Sequence, residues 1–226
     1  MCFSPEASFA GGIVISSVGV AALRKVRKAQ KPSQRLFAGI PLFFGVQQTA
    51  EGCVWLALSD PQYAPLHNGG MYLFLFMARV LWPVLMPLAV LLMEEDRQRK
   101  KLMQFSLALG STVSVYYTYC LFFLNVAPHI EGHHIQYISD FPELMATPVF
   151  IIYFIASLTP LFVSSNKRTI LLGVLLFFSA IVTVIFFTYY LTSVWCFFAA
   201  VISGVIYWIV SEPLRNGSPT AVQAEH

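Results

Sequence analysis

The sequence predicts an all-α membrane protein, a bundle of seven transmembrane helices with the N-terminus outside and the C-terminus in the cytoplasm. Its 226 residues are 57% hydrophobic and 11% charged, with a mean hydropathy of +0.68, whereas soluble domains contain roughly 25% charged residues. Apolar runs of about twenty residues recur, the length that crosses a hydrocarbon core of about 30 Å. Basic residues fall on alternate connections between these runs.

The first helix is predicted to begin at Ser4, whose hydroxyl can cap it. Pro5 suits the first helical position, and Glu6 faces the positive end of the helix dipole. This helix contains the first of seven apolar runs, so we expect one helical bundle over residues 1–212 and a short cytoplasmic tail over 213–226. The predicted spans are 9–23, 36–58, 71–93, 102–124, 147–163, 170–190 and 194–210.

Lys and Arg near spans are retained in the cytoplasm, and this rule sets the predicted orientation. One basic residue, Arg79, lies inside the third span, while the other thirteen flank alternate span ends: Arg24, Lys25, Arg27, Lys28, Lys31, Arg35, Arg97, Arg99, Lys100, Lys101, Lys167, Arg168 and Arg215. The net charge of +3 therefore reflects topology and does not indicate nucleic-acid binding. We expect the lipid bilayer as partner and a bacterial inner membrane as location.

The second span is unusually polar, with Gln47, Gln48 and Glu51 in the run FFGVQQTAEGCVW. Ionisable groups at this depth are costly, and they mark functional sites by default. Helical spacing forms one stripe from Phe44, Gln48, Glu51 and Trp55, with Gln47 on its flank. This face of the second span is predicted to line the interior of the bundle.

The third span contains Arg79 in FMARVLWPVLMP. Glu51 and Arg79 both lie roughly 11 Å below the outer ends of their spans, at 1.5 Å per residue. We therefore predict an ion pair between them, with Gln47 and Gln48 satisfying the remaining polar groups. Either the pair only sets helix register, or it lines a hydrated pocket that opens outward beside Trp82.

Tyr117 on the fourth span and the loop after it complete the predicted pocket. That loop reads HIEGHHIQYISDFPE and caps the pocket with His133, His134 and Tyr137. An arginine favours a small anionic or carbonyl-bearing ligand, and Glu51 can exchange protons. The predicted ligand-binding residues are Gln47, Gln48, Glu51, Trp55, Arg79, Trp82, Tyr117, His134 and Tyr137.

A metal-dependent enzyme, either a hydrolase or a redox protein, is the alternative. Its zinc or copper ion would be held over the pocket by His129, His133 and His134, with Cys2 as a further ligand. Against it, no HExxH motif occurs, Gly132 interrupts any helix here, and histidines in a polar loop are usually solvated.

The four cysteines, Cys2, Cys53, Cys120 and Cys196, all fall towards the outer side. An oxidising compartment permits disulfides among them in three possible pairings, whereas Cys53 and Cys120 also suit the apolar core. Haem and retinal are not expected, because the spans lack histidine and the last span lacks lysine.

The segments MCFSPEASF, PLFFGVQQTAEGCVWLAL and SVWCFFAAVIS resemble a family of small bacterial seven-span proteins that begin Met-Cys-Phe-Ser and have no assigned function. The resemblance implies the same architecture and adds no activity. It draws attention to Cys2, Gln48, Glu51, Trp55 and Trp195. The topology is also similar to that of the sugar-transporting PQ-loop proteins, although their Pro-Gln dipeptide is missing from the spans. Transport, sensing and catalysis therefore remain open, as does the oligomeric state.

Overall fold

The fold is a helical bundle with one β-hairpin, seen in a computed structural model. The structure describes residues 4–132, 134–186 and 191–211, but not the side chains of residues 184–186 and 191–197. The elements are α1 (Pro5–Lys28), α2 (Arg35–Ser59), α3 (Leu66–Leu75), a π-helical turn (Phe76–Leu81), α4 (Trp82–Met93), α5 (Arg97–Phe123), β1 (Val126–Glu131), β2 (His134–Ser139), α6 (Glu143–Val163), α7 (Lys167–Phe186) and α8 (Leu191–Ser211). Short 3-10 turns, Pro32–Gln34 and Pro61–Tyr63, precede α2 and α3.

The π-helical turn joins α3 and α4 into one continuous rod, so the described elements form seven helical rods, each of which overlaps one of the seven apolar runs. Four of the described helices are long and apolar enough to cross a membrane: Pro5–Lys28, Leu66–Met93, Arg97–Phe123 and Glu143–Val163. These four helices indicate a membrane protein.

The start of α1 confirms the predicted cap. Ser4 has an extended backbone, with φ of −165° and ψ of 161°, and its Oγ accepts a hydrogen bond from the N–H of Ala7 at 3.2 Å. Pro5 is the first helical residue. Capping depends only on neighbouring residues, and this is why the sequence predicted it correctly.

Glycines allow the closest helix crossings. A side chain at Gly45 on α2 would overlap Ser16 of α1, and one at Gly110 on α5 would overlap the carbonyl oxygen of Pro83 on α4. That carbonyl has no intrahelical donor, because Pro87 has no N–H. Small residues at such contacts are typical of helix packing in membranes.

Contacts between helix ends bring the basic clusters together at one end of the bundle, which we call the basic end. There the ring of Tyr207 on α8 lies against Lys25 of α1, the ring of Trp208 lies against Arg168 of α7, and Arg99 of α5 donates to the carbonyl oxygen of Val163 at 2.6 Å. An apolar cluster that includes Met103, Leu161 and Ile206 packs in this half.

A buried carboxylate joins two connections at the basic end. Glu94 is only 4% exposed. Its Oε1 accepts from the Ser165 hydroxyl at 2.6 Å and from the N–H groups of Glu95 and Asp96 at 3.0 and 3.1 Å, and its Oε2 accepts from the N–H of Ser165 at 2.7 Å. Burial alone would raise the pKa of Glu94, but these hydrogen bonds outweigh burial and hold the pKa below its ordinary value of 4.5.

At the opposite end, which we call the hairpin end, the structure differs from one prediction. The segment predicted as a loop contains the antiparallel strands β1 and β2, in a register that runs from Val126 opposite Ser139 to Glu131 opposite His134. The turn includes Gly132, whose φ of +61° is readily adopted by glycine. Short alternations of apolar and polar residues, Pro128-His129-Ile130-Glu131 before this glycine and Ile135-Gln136-Tyr137 after it, were the signal for the hairpin.

Candidate functional site

Arg79 lies in the π-helical turn between α3 and α4. Such turns are rare and occur frequently at functional sites. Pro83 explains its position, because a proline has no N–H to donate to the Arg79 carbonyl four residues earlier. Two neighbouring carbonyl groups bond to other helices: Ala78 accepts from the Tyr153 hydroxyl at 2.9 Å and Val80 accepts from the Ser114 hydroxyl at 2.5 Å. The irregular turn is therefore held in place by α5 and α6.

The half-buried Arg79 side chain lies against aromatic rings. Its Cζ atom is 4.8 Å from the ring centroid of Phe141 and 5.6 Å from that of Tyr117. Ring faces attract cations, so both contacts are favourable. The predicted ion pair with Glu51 is not among the contacts of Arg79, whose described partners are these two rings. The π-helical turn changes the direction in which Arg79 leaves its helix, towards α5 and the segment after the hairpin.

The polar stripe of α2 is buried inside the bundle. Gln47 is 4% exposed, and Gln48 and Glu51 are fully buried. Gln48 Nε2 donates to Glu51 Oε2 at 3.2 Å, and Trp82 Nε1 donates to Gln47 Oε1 at 2.6 Å. The Trp82 ring also stacks on Phe44, with centroids 4.1 Å apart. These contacts bring together four of the predicted site residues on α2 and α4.

Trp55 belongs to an apolar cluster at the hairpin end. Its side chain is 5% exposed, and its indole N–H has no acceptor among the described residues. Ile135 of β2 is buried in the same cluster, and the predicted site residues Tyr117 and Tyr137 pack against it. The hairpin therefore covers this part of the bundle.

We call the residues around Arg79 and this apolar cluster the Arg79 site. Phe74 in the cluster stacks on Tyr137, with centroids 5.1 Å apart and planes 18° apart. Phe141, which contacts Arg79, packs against the cluster as well. The Arg79 site comprises Trp55, Phe74, Arg79, Tyr117, Tyr137 and Phe141.

Sequence reasoning missed Phe74, Phe141 and the π-helical turn. The only signal for the turn was Pro83, four residues after Arg79. Nothing local distinguished Phe74 and Phe141 from the other eighteen phenylalanines.

Two of the predicted metal ligands, His129 and His134, lie on the hairpin. His129 is exposed and pairs across the hairpin with Gln136, while the half-buried His134 pairs with Glu131. The register places both histidines on one face. Within the described ranges, no three residues of the His, Cys, Asp and Glu types are arranged to hold a metal ion. His133 and Cys2 lie outside the described residues, so the metal site stays a prediction.

The cysteines give a partial answer on disulfides. Cys53 and Cys120 are free thiols, and Cys120 is buried. This confirms the core interpretation for Cys120 and excludes a disulfide between these two. Cys2 lies outside the described residues, as do the side chains of Cys196 and Trp195.

Comparison with known proteins supports the resemblance of the sequence to a family without assigned function. Neither the curated proteins nor the solved structures include a match. A family model does match residues 1–221, nearly the whole length. The chain therefore belongs to DUF6629, a family of unknown function.

Proposed function

We propose that this chain is a seven-span membrane protein that binds a small anionic ligand at the Arg79 site, reached from the side of the hairpin. The observation that supports it best is a half-buried arginine in a π-helical turn, whose side chain lies against two aromatic rings and has no ion-pair partner in the described part of the chain.

The proposed topology has all seven rods crossing the bilayer, with the basic end in the cytoplasm of a bacterial cell and the hairpin end outside. Seven rods in the predicted order and the clustering of basic residues at one end support it. The polar residues Gln47, Gln48 and Glu51 lower the hydropathy of α2, but they face the interior, where a membrane helix tolerates them.

Electrostatics favours an anion at Arg79. Removing a guanidinium group from water costs several kcal/mol, whereas cation–π contacts return about 0.5–2 kcal/mol. A carboxylate or another oxyanion would supply the missing countercharge and accept two parallel N–H bonds from the guanidinium. The Arg79 site thus has a shortage of negative charge that a ligand can correct.

The rest of the site suggests an anion with an apolar body. Trp55 offers a buried indole donor that needs an acceptor, and Phe74, Tyr117, Tyr137 and Phe141 provide aromatic walls. The fully buried Glu51 on α2 is a group that can exchange a proton when a charged ligand binds or leaves. These features suit transport or sensing of a small carboxylate.

The test measures thermal unfolding of the purified chain in neutral detergent at fixed ionic strength. Benzoate is the probe, and benzamide, which has the same shape without the charge, is its control. We expect benzoate to raise the midpoint by a few degrees, because a ligand that binds only the folded state stabilises it. The shift should vanish in Arg79→Gln and persist in part in Arg79→Lys.

Two results would contradict the proposal. One is an equal benzoate shift in Arg79→Gln and the wild type, which would place binding elsewhere. The other is a wild-type midpoint that responds to none of benzoate, acetate and phosphate. An equal response to benzamide would show that the site recognises the carbonyl group and not the charge.

A further inference from the structure

The basic end of α8 bears two exposed aromatic rings, each in contact with a cation from another helix. Tyr207 and Trp208 are 37% and 42% exposed. Lys25 Nζ, near the end of α1, lies 5.9 Å from the Tyr207 ring centroid, and Arg168 Cζ, in the first turn of α7, lies 4.4 Å from the Trp208 ring centroid. Three helices thus present two pairs, each of one cation and one aromatic ring, at one edge of the bundle.

Exposed Tyr and Trp side chains at the end of a membrane helix settle at the boundary between hydrocarbon and headgroups. A cation held against such a ring is therefore fixed at the depth of the lipid phosphates. Two further exposed cations, Arg24 and Lys28, lie on the same end of α1 and add to the local positive potential. The negative charge of the cytoplasmic leaflet attracts such clusters.

We propose that this edge, formed by Lys25, Arg168, Tyr207 and Trp208, is a binding site for anionic phospholipid headgroups. The two cations pair with the phosphate groups, and the two rings pack against the part of the lipid just below them. The site is separate from the Arg79 site and depends only on the proposed topology. A free phosphate ion is negatively charged like the headgroup but lacks the apolar portion of the lipid.

The experiment uses the full chain in neutral detergent supplemented with phosphatidylglycerol, phosphatidylcholine or inorganic phosphate, and it measures the unfolding midpoint and the apparent lipid affinity. We expect phosphatidylglycerol alone to raise the midpoint by a few degrees. The double variant Lys25→Gln/Arg168→Gln should bind it about 30-fold more weakly, from the loss of two phosphate contacts near the surface.

A matched control removes the same charge elsewhere at this end. Arg97→Gln/Lys101→Gln alters two exposed residues of α5 that have no aromatic contact in the described structure, and it should weaken binding less than about fivefold, from long-range charge alone. The variant Lys25→Arg/Arg168→Lys keeps the charge and should retain most of the affinity. Monodispersity in phosphatidylcholine shows that each variant has folded.

Three results would overturn the proposal. An equal loss in both Gln double variants would indicate diffuse attraction without a site. A midpoint shift with inorganic phosphate as large as that with phosphatidylglycerol would indicate a free-anion site. No effect of phosphatidylglycerol on the wild type would exclude lipid binding at this edge.

Discussion

The two ends of the bundle differ in how the charge of a side chain is compensated. At the basic end the Glu94 carboxylate accepts four hydrogen bonds from Glu95, Asp96 and Ser165. At the hairpin end the Arg79 guanidinium lies against two rings and has no ion pair among the described residues. A charge that accepts hydrogen bonds from its own chain contributes to stability, whereas under the proposed function the charge of Arg79, which has no counter-ion in the described chain, is compensated by a ligand. The following predictions test this difference.

The largest expected effect is at Glu94. Glu94→Ala removes every acceptor in the cluster and leaves the N–H groups of Ser165, Glu95 and Asp96 without partners. We expect the free energy of unfolding to fall by about 3 kcal/mol, because hydrogen bonds to charged groups contribute roughly 1.5–3 kcal/mol each and do not add fully. Unfolding in mixed micelles with increasing SDS measures the change. A loss below about 1 kcal/mol would contradict the structural role of Glu94.

The same carboxylate should make stability depend on pH. Its pKa is lower in the folded chain than its ordinary value of 4.5, so the unfolded chain binds the proton more readily. The stabilisation is therefore fully present above about pH 4.5 and is lost as the pH falls through the folded pKa. Subtracting the pH profile of Glu94→Gln from that of the wild type isolates this contribution. A flat difference profile below pH 5 would contradict it.

Ser165→Ala tests one donor of the cluster and should have a smaller effect. The variant loses the hydroxyl that donates at 2.6 Å but keeps the backbone N–H that donates at 2.7 Å. We expect a loss of about 1–2 kcal/mol in the free energy of unfolding. Ser111→Ala on α5 is the control, since its exposed hydroxyl bonds only within its own helix. Equal losses in the two variants would show that the hydrogen bond to Glu94 adds nothing.

The smallest effect on stability is expected at Arg79. Arg79→Met removes the charge and keeps an unbranched apolar side chain beside the rings of Tyr117 and Phe141. Replacing a poorly compensated charge by an apolar group is often neutral or stabilising, so we expect the free energy of unfolding to stay within about 1 kcal/mol or to rise. The same SDS titration measures it. A loss as large as that of Glu94→Ala would show that Arg79 is a structural residue and would remove the contrast between the two ends.

Local features of the sequence account for much of the outcome. The cap at Ser4, the order of the rods and the clustering of basic residues could be predicted because each depends on neighbouring residues or on mean hydropathy. The burial of Glu51 was predictable as well, because its helical spacing from Gln48 and Trp55 defines one face. The hairpin was missed although its pattern of alternation was present around Gly132.

Only the tertiary structure decided what each polar group touches. Equal depth suggested that Glu51 and Arg79 pair, but depth along two helices does not define the direction in which a side chain points. The π-helical turn before Pro83 sets that direction, and the rings that receive Arg79 come from α5 and from Phe141, far away in sequence. The sequence alone determined a bundle with a basic end and a polar interior, since hydropathy and charge are properties of segments. The partners of Arg79, Gln47 and Glu94 depend on angles and distances between helices, which exist only once the bundle has packed.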